Sequence, residues 1–251
     1  MNSFIGWVGG KKILRKAVCE RFPAEFSKYV EVFGGAGWVL FNSEKHANFE
    51  VYNDINSELV NLFRCVKYHP DARDQEMGLI LNSRELFNCF RSQSIEGLTD
   101  IQRAARYLYL IKASYGNKVS TYGSKPRRIN NVSDFKDVQK RLEKVIVENK
   151  NYVALIKQYD STDTLFYCDP PYYQAESLYD TGSFIFDEEQ HIELENVLSG
   201  LKGKFILSYN DCDFIKDLYK GFVIEEVERQ SNLASRYGTD KVYKELIIKN
   251  Y

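Results

Sequence analysis

The sequence is poor in the residues from which metal centres and disulfide frameworks are built. Its 251 residues include three histidines and five cysteines, and no two cysteines form a Cys-x-x-Cys pair. Scattered cysteines of this kind indicate free thiols in a reducing compartment. The dispersed histidines predict that no metal is bound. The residues are Cys19, Cys65, Cys89, Cys168, Cys212, His46, His69 and His191.

Long apolar runs are also missing. No stretch approaches the roughly 18 consecutive apolar residues that a membrane-spanning helix needs, and no secretory signal is recognisable at the start of the chain. These features predict a cytoplasmic protein that does not contact membranes. A hydrophobic content of 44% is enough for one large domain, or for one domain that carries an insertion.

An excess of either charge is absent, since the formal net charge is −1. Any affinity for nucleic acid must therefore come from a local patch. One such patch is visible, because residues 101–133 contain no aspartate or glutamate but seven basic residues and four tyrosines. This pattern predicts a phosphate-binding surface, and a merely solvated basic face is the alternative. The residues are Arg103, Arg106, Lys112, Lys118, Lys125, Arg127, Arg128, Tyr107, Tyr109, Tyr115 and Tyr122.

Proline is scarce, yet two of the five prolines are adjacent. They follow the apolar run 165–168, which reads as a short buried strand, in the segment Asp169-Pro170-Pro171-Tyr172. Because proline lacks an N–H and holds φ near −65°, the strand cannot continue through it. The segment predicts a stiff corner at the carboxyl end of a strand, where open α/β sheets bind their ligands.

This corner has the groups needed to hold a planar exocyclic amine. Asp169 and the carbonyl of Pro170 are two acceptors for the two amine hydrogens, and together they localise the nitrogen lone pair. Tyr172 is placed to stack on the base that carries the amine, a contact worth about 1–3 kcal/mol. An ordinary proline turn after a strand is the alternative interpretation.

Glycines are concentrated after another predicted strand, at positions 34, 35 and 37. The pattern is typical of strand, glycine turn and helix, with room for a cofactor beside the backbone. Asp54 ends the next predicted strand, about 20 residues further on, where an acid binds ribose hydroxyls. The spacing also fits a dinucleotide fold, although it departs from Gly-x-Gly-x-x-Gly.

A second glycine pair lies near the start of the chain, at Gly9 and Gly10, and Lys11 follows it directly. The glycines permit close approach of a ligand, Lys11 supplies a positive charge and Trp7 an apolar face. A helix is predicted to follow, ending near Phe22 and before the next proline. The alternative interpretation is that the Gly-Gly-Lys turn only marks the start of a helix, where such turns are common.

The α/β pattern stops between residues 57 and 144. Helical periodicity predicts one helix from Ser57 to Pro70, a second over 75–90, a third over 101–113 capped by Asp100, and a fourth over 133–145. The segment 119–122 is predicted to form a hairpin arm. A mostly helical insert between two α/β halves is the simplest interpretation.

The α/β pattern resumes after the insert. Strands are predicted at 145–148, 165–168 and 205–209, a helix begins near Tyr152, and Asp187 caps another helix, on which His191 is expected to lie at the surface. Residues 173–186 are predicted to form a lid over the site. Segments 222–228 and 243–250 are predicted to form a closing hairpin.

The four motifs stand in the order seen in Dam-like DNA adenine N6-methyltransferases, and the chain resembles that family over essentially its whole length. They are Trp7-Val8-Gly9-Gly10-Lys11, Glu31-Val32-Phe33-Gly34-Gly35-Ala36-Gly37, Asn53-Asp54-Ile55-Asn56 and Asp169-Pro170-Pro171-Tyr172. One departure is Val32, where the family usually has proline, and this affects loop stiffness and not chemistry.

The resemblance implies a Rossmann-like sheet that binds S-adenosyl-L-methionine (AdoMet), formed by residues 1–56 and 145–251, with an inserted target-recognition domain over 57–144. It implies methylation of an adenine flipped out of double-stranded DNA, without a metal. The implied catalytic residues are Asp169, Pro170 and Tyr172, and the implied DNA-binding residues are Lys118, Tyr122, Lys125, Arg127 and Arg128. The implied cofactor-binding residues are Trp7, Lys11, Glu31, Phe33, Gly34, Gly35, Ala36, Gly37, Asp54, Ile55 and Asp169.

Other readings stay open at this point. Methylation of cytosine N4 or of an RNA adenine would keep the AdoMet site and change the base pocket. A DNA-binding module with a vestigial cofactor fold is the non-enzymatic reading, which the intact Asp169 and glycine loop disfavour. The resemblance implies either a restriction-modification methylase or an orphan methylase.

Overall fold

The computed structural model describes residues 1–123, 135–175, 184–230 and 242–251. Seven strands form a single sheet: β1 (Lys28–Glu31), β2 (Phe49–Asn53), β3 (Val145–Glu148), β4 (Thr164–Cys168), β5 (Lys204–Asn210), β6 (Val223–Gln230) and β7 (Val242–Lys249). Their order is β3-β2-β1-β4-β5-β7-β6. The first five strands are parallel, and β7 runs antiparallel to both β5 and β6. The predicted α/β sheet with a closing antiparallel hairpin is confirmed.

Nine α-helices are present among the described residues. They are α1 (Arg15–Cys19), α2 (Ser57–Tyr68), α3 (Pro70–Gly78), α4 (Arg84–Ser92), α5 (Asp100–Ala113), α6 (Phe135–Leu142), α7 (Tyr152–Tyr159), α8 (Glu188–Ser199) and α9 (Asp213–Leu218). No helix in the described ranges is long and apolar enough to cross a membrane.

Alternation along the central strands divides the core into two layers. Side chains two residues apart point to the same face of a sheet. Tyr29 of β1 and Tyr52 of β2 therefore pack on the side of α2, α5 and α6, whereas Val30 and Val51 pack on the side of α7 and α8. Both faces are covered, which is why the central strands are nearly continuous in apolar residues.

The helices between residues 57 and 142 share one hydrophobic core with the sheet. Leu62 and Phe63 of α2 belong to the same buried cluster as Tyr52 and Tyr167 of the strands. Arg141 of α6 extends this connection with two hydrogen bonds to the carboxylate of Glu50, of 2.7 and 2.8 Å. The division into residues 57–144 and the remainder stays a prediction.

Helix α5 is the central helix of this segment. Nine of its residues are buried. Its cap is Thr99 and not Asp100, because the Thr99 hydroxyl accepts a hydrogen bond from the backbone N–H of Gln102 while the Gln102 side chain accepts one from the Thr99 N–H. This reciprocal capping box satisfies two amides that the helix cannot pair internally.

Three predicted elements were wrong. The single helix over 75–90 is two helices, α3 and α4, separated by residues 79–83, of which Leu79 is 83% exposed. The helix predicted after the glycine loop is only a 3₁₀ turn, Leu40–Asn42, and the one predicted to end near Phe22 ends at Cys19. Apolar periodicity does not fix the residue at which a helix ends, and a following proline sets only the last residue that the helix could reach.

The hairpin arm predicted over 119–122 is only partly present, because Thr121 and Tyr122 pair antiparallel with Tyr115 and Ser114. They belong to a tight turn that we call the 114–123 turn, closed by a single bridge between Ser114 and Tyr122. Asn117 and Val119 have positive φ angles of 59° and 63°, which a regular strand does not allow. The lid predicted over 173–186 falls largely on residues 176–183, which lie outside the described residues.

Candidate active site

The candidate site lies where three neighbouring parallel strands end. Strand β1 is hydrogen-bonded to β2 on one side and to β4 on the other. The glycine loop follows β1, Asp54 follows β2 and Asp169 follows β4. Because the carboxyl ends of parallel strands share one edge, the sheet order places these three features side by side.

A pocket with about 650 Å³ of empty space, part of it open to solvent, occupies this edge. Ten of the eleven residues that the resemblance assigns to the cofactor line it: Trp7, Lys11, Glu31, Phe33, Gly34, Gly35, Ala36, Asp54, Ile55 and Asp169. Gly37 does not, and a Cβ there would lie 3.1 Å from the Phe41 ring. Gly37 with φ of 66° is therefore needed for the turn and its packing.

Gly9 and Gly10, which the sequence indicated as glycines that permit close approach of a ligand, also line the pocket. The sequence reasoning missed five further lining residues: Val8, Trp38, Val39, Tyr167 and Pro171. Most of them are immediate neighbours of predicted residues, so proximity in the motifs was the available signal. Trp38 also contacts the N-terminal segment, because a Cβ added to Gly10 would lie only 2.7 Å from the indole Nε1 of Trp38. The N-terminal segment and the glycine loop thus pack directly against each other.

Asp54 and the glycine loop brace each other. Oδ2 of Asp54 accepts a hydrogen bond of 2.8 Å from the backbone N–H of Gly35, and Oδ1 accepts one of 2.8 Å from the N–H of Asn56. The hydroxyl of Tyr52 donates to the carbonyl of Gly35 at 2.6 Å. A Cβ on Gly34 would meet the Tyr52 ring and lie 2.8 Å from the Asn53 carbonyl oxygen. Only glycine therefore fits at position 34.

Asp169 forms an ion pair with Lys11, with 2.6 Å between Oδ1 and Nζ. The hydroxyl of Ser208 on β5 donates to the same oxygen at 2.9 Å, and Nζ of Lys11 also donates to the carbonyl of Gly9 at 3.0 Å. Burial raises the pKa of Asp169 above its usual range, and the charge of Lys11 opposes this shift. The pair fixes the start of the chain onto the proline corner.

Glu31 is a second buried carboxyl group in the pocket. Burial raises its pKa to about 8, although the hydroxyl of Tyr29 donates to Oε2 at 2.7 Å and lowers it. Near neutral pH the group is therefore largely protonated, which reduces the number of negative charges that lie beside Asp169.

Tyr172 contacts both sides of the corner. Its hydroxyl donates to Oε2 of Glu245 on β7 at 2.5 Å, and Nζ of Lys11 lies 4.5 Å from the centre of its ring. Pro170, between Asp169 and Pro171, is buried. The three predicted catalytic residues thus lie next to the pocket, with Tyr172 held by a residue that no sequence motif indicated.

The surface position predicted for His191 was wrong. His191 is fully buried on α8, and its Nδ1 lies 2.6 Å from the hydroxyl of Tyr209 on β5. Its ring also contacts Tyr173 and Phe186, at centroid distances of 5.5 and 4.8 Å. The residue faces the sheet because its position belongs to the apolar face of α8. The sequence did not indicate this, because histidine is a polar residue.

The basic window divides into structural and exposed residues. Arg103 and Arg106 both form ion pairs with Glu58 of α2, so they stabilise helix packing and are not free for phosphate. Lys118 is exposed in the 114–123 turn. Tyr122 donates to Asn82 Oδ1 at 2.8 Å. Lys125, Arg127 and Arg128 lie outside the described residues.

Two further cations adjoin this turn, and sequence reasoning missed them because they come from α4. The guanidinium of Arg84 lies 4.9 Å from the Tyr122 ring centre. Arg91 donates to the carbonyl of Ser120 at 2.5 Å. Both side chains are exposed, so the basic surface is wider than the acid-free window.

Comparison with known proteins identifies the family. The model of the D12 class N6 adenine-specific DNA methyltransferases matches residues 7–233. The chain belongs to this family. The D12 match covers the glycine loop, Asp54 and the proline corner in one stretch, and the chain is therefore an adenine-specific DNA methyltransferase. Methylation of cytosine N4 or of RNA is correspondingly disfavoured.

Curated relatives resemble the chain along its full length. The Type II methyltransferase M.CviBI of Paramecium bursaria Chlorella virus NC1A is 26% identical over 266 residues, covering 100% of both chains. The DNA adenine methylase of Haemophilus influenzae is 26% identical over 267 residues, covering 97% of this chain and 92% of the relative. That of Escherichia coli K12 is 24% identical, covering 98% and 94%. Methyltransferases of the D12 kind generally use AdoMet as the methyl donor.

Proposed function

We propose that this protein transfers a methyl group from AdoMet to the N6 amine of an adenine flipped out of double-stranded DNA, and that the pocket at the ends of β1, β2 and β4 holds AdoMet. The observation that supports this most strongly is the convergence of the glycine loop, Asp54 and Asp169 on one pocket. These three features lie far apart in the sequence, and their separation along the chain alone does not require them to meet.

The pocket residues fit AdoMet. The Asp54 carboxylate is an acceptor for ribose hydroxyls, and the rings and chains of Phe33 and Ile55 provide apolar faces for a flat base. Asp169 and Lys11 carry the charges that a zwitterionic amino-acid tail requires. Backbone at Gly34 and Gly35 permits close approach.

The proline corner acts on the target amine. Asp169 and the Pro170 carbonyl accept the two N6 hydrogens, which draws the nitrogen toward tetrahedral geometry and localises its lone pair. AdoMet bound in the pocket supplies a methyl group made electrophilic by its sulfonium. Alignment then contributes more than a strong base does. The Asp169 carboxylate, which is one of the two acceptors of the amine, takes the proton that the methylated nitrogen releases.

A single experiment tests this function. The protein is incubated with AdoMet labelled in its methyl group and with duplex DNA, and the modified nucleoside is identified after digestion. N6-methyladenine in duplex DNA is expected. Label in N4-methylcytosine, or only in RNA, would contradict the substrate, and DNA binding without any transfer would support the vestigial-fold reading.

Asp54→Ala is expected to weaken AdoMet binding by about 1.5–3 kcal/mol, through loss of charge-assisted hydrogen bonds, which is tenfold or more in Kd. Loss of the Gly35 and Asn56 contacts also loosens the glycine loop. Calorimetric titration with AdoMet measures the affinity.

The matched control is Asp160→Ala, because Asp160 also accepts hydrogen bonds from two backbone amides, those of Lys202 and Gly203, but lies before β4. It is expected to lower stability and leave AdoMet affinity unchanged. Equal affinity of the Asp54 variant and the wild type would remove Asp54 from the cofactor site.

The DNA surface is proposed to comprise Arg84, Arg91, Lys118 and Tyr122 together with Lys125, Arg127 and Arg128. Exposed cations on two neighbouring segments of the helical insert, α4 and the 114–123 turn, support this. Cations of this kind neutralise phosphates and release counterions on binding.

Alanine variants of Lys118 and Arg84 are expected to bind all duplexes more weakly, and each lost phosphate contact should lower the slope of log affinity against log salt by about 0.9. A base reader among Arg127 and Arg128 should instead lose roughly 1–3 kcal/mol on the cognate duplex only. Binding is measured across a salt series on cognate and scrambled duplexes. Lys45→Ala, exposed before β2, is the control, and slopes equal to its slope would place the DNA surface elsewhere.

A further inference from the structure

Glu245 brings a buried carboxylate from the closing hairpin to the proline corner. It lies on β7, opposite Asn210 of β5 and Val227 of β6, and only 3% of its surface is exposed. A charged group is almost never buried to this extent without hydrogen-bonding partners. One partner within the described residues is the hydroxyl of Tyr172, which donates a hydrogen bond to Oε2 of Glu245 at 2.5 Å.

This hydrogen bond is one link in a chain of contacts that reaches the acidic group of the corner. The Tyr172 ring lies below the Lys11 ammonium, at 4.5 Å from its centre. Lys11 in turn binds Asp169 at 2.6 Å, and Ser208 of β5 donates to the same carboxylate oxygen. Four separate parts of the chain thus meet at the corner: the N-terminal segment, the segment after β4, β5 and β7.

The two ends of this chain of contacts also interact through their charges. Burial is the main cause of the raised pKa of Asp169. Lys11 lowers this pKa, and the carboxylate of Glu245 adds a smaller contribution that raises it. Glu245 also contributes slightly to the raised pKa of Tyr167 on β4, although burial is the main cause of that shift. Glu245 therefore acts on the corner both by a hydrogen bond and by its charge, although it belongs to none of the motifs.

We propose that Glu245 is a positioning residue for methyl transfer, which holds the Tyr172 hydroxyl and thereby sets the orientation of the aromatic ring beside the amine-binding acceptors. The proposal rests on the function given above, because it concerns the placement of the same target base. A tyrosine ring turns about two side-chain torsions. The hydroxyl oxygen lies on the axis of the second torsion, so an anchored hydroxyl restricts the first torsion and thereby the position of the ring. Displacement of a reacting group by about 1 Å is enough to cost on the order of 100-fold in rate.

Stacking alone and positioning by Glu245 predict different results for one variant. If the ring only stacks on the base, Tyr172→Phe retains the stacking face and is nearly as active as the wild type. If Glu245 orients the ring, Tyr172→Phe lowers the single-turnover rate by about 10- to 100-fold, with AdoMet affinity within about twofold of the wild type. Glu245→Ala is expected to lower the rate to a similar extent.

Glu245→Gln provides the conservative replacement. Its side-chain carbonyl still accepts a hydrogen bond from Tyr172, so it should recover most of the rate that Glu245→Ala loses. The double variant Tyr172→Phe with Glu245→Ala should be no slower than the slower single variant, because both changes remove one interaction. A residue with a purely structural role would lower the melting temperature and leave these rates unchanged.

Two variants serve as matched controls. Tyr159→Phe removes another tyrosine–glutamate hydrogen bond, to Glu148 at 2.7 Å, and Glu225→Gln changes a carboxylate of the same hairpin that pairs with Arg21 and Lys249. Both should transfer methyl groups at the wild-type rate.

The assay is single-turnover transfer of labelled methyl groups to duplex DNA, with AdoMet calorimetry and thermal melting on each variant. Suppose that the wild type is active. If the Tyr172→Phe variant is equally active, or if the losses in the double variant are additive, the role of Glu245 is wrong and the proposed function is unaffected. If Glu245→Ala does not fold, the Tyr172→Phe rate still decides. A wild type that transfers no methyl group to DNA overturns the proposed function and this inference together.

Discussion

Asp169→Ala should lower the single-turnover rate of methyl transfer to DNA by at least about 10³-fold, the range typical of a lost acid–base or charge-stabilising group. The variant lacks one of the two acceptors for the N6 hydrogens and also the carboxylate that takes the released proton. It further removes the ion pair of 2.6 Å between Lys11 of the N-terminal segment and the proline corner.

Asp169→Asn separates these effects. Its amide oxygen still accepts a hydrogen bond but carries no charge, so a small residual rate above that of the Ala variant is expected. Asp163→Ala is the control, because Asp163 lies just before the other end of β4 and also pairs with a lysine, Lys28, at 3.3 Å. Near-normal turnover by the Asp169→Ala variant, with a normal control, would show that Asp169 does not act on the amine.

Arg141→Ala should lower the free energy of unfolding by about 3–5 kcal/mol, the cost of removing one partner from a buried ion pair. Arg141 of α6 binds both carboxylate oxygens of Glu50 on β2. It also donates to the backbone carbonyls of Ser43 and Leu40, each at 2.9 Å. Truncation leaves the Glu50 charge buried without this partner.

Urea unfolding measures this loss. Lys140→Ala is the control, because Lys140 precedes Arg141 on the same helix but is exposed, and it should change stability by less than about 0.5 kcal/mol. If both variants unfold alike, the ion pair does not hold α6 against the sheet. A loss confined to residues 57–144 would support their folding as a separate unit.

Much of the active-site location was predictable from the sequence. Apart from Trp7 and Lys11 of the N-terminal segment, each predicted site residue at the pocket ends a strand or lies in the loop that follows one. The carboxyl ends of parallel strands share an edge. Local patterns therefore sufficed to bring Asp54, Asp169 and the glycine loop together. The same patterns predicted all seven strands, because apolar β-rich runs bounded by glycine, proline and polar turns are short-range signals.

Predictions failed where the outcome depended on a neighbour distant in the sequence. Arg103 and Arg106 have the composition of a phosphate-binding face, yet Glu58 of α2 pairs with both. His191 has the polarity of a surface residue, yet Tyr209 of β5 lies 2.6 Å away. Neither charge counts nor periodicity contains this information, since the partner is set by the packing of helices against the sheet.

The sequence by itself determined the class of chemistry and the edge of the sheet where it takes place, because the relevant groups lie in short motifs tied to strand ends. Only the tertiary structure decided what holds them. Glu245 reaches Tyr172 from 73 residues away, and Arg141 reaches Glu50 across 91 residues. The physical reason is that hydrogen bonds and ion pairs act over about 3 Å, and which side chains come that close follows from the order β3-β2-β1-β4-β5-β7-β6.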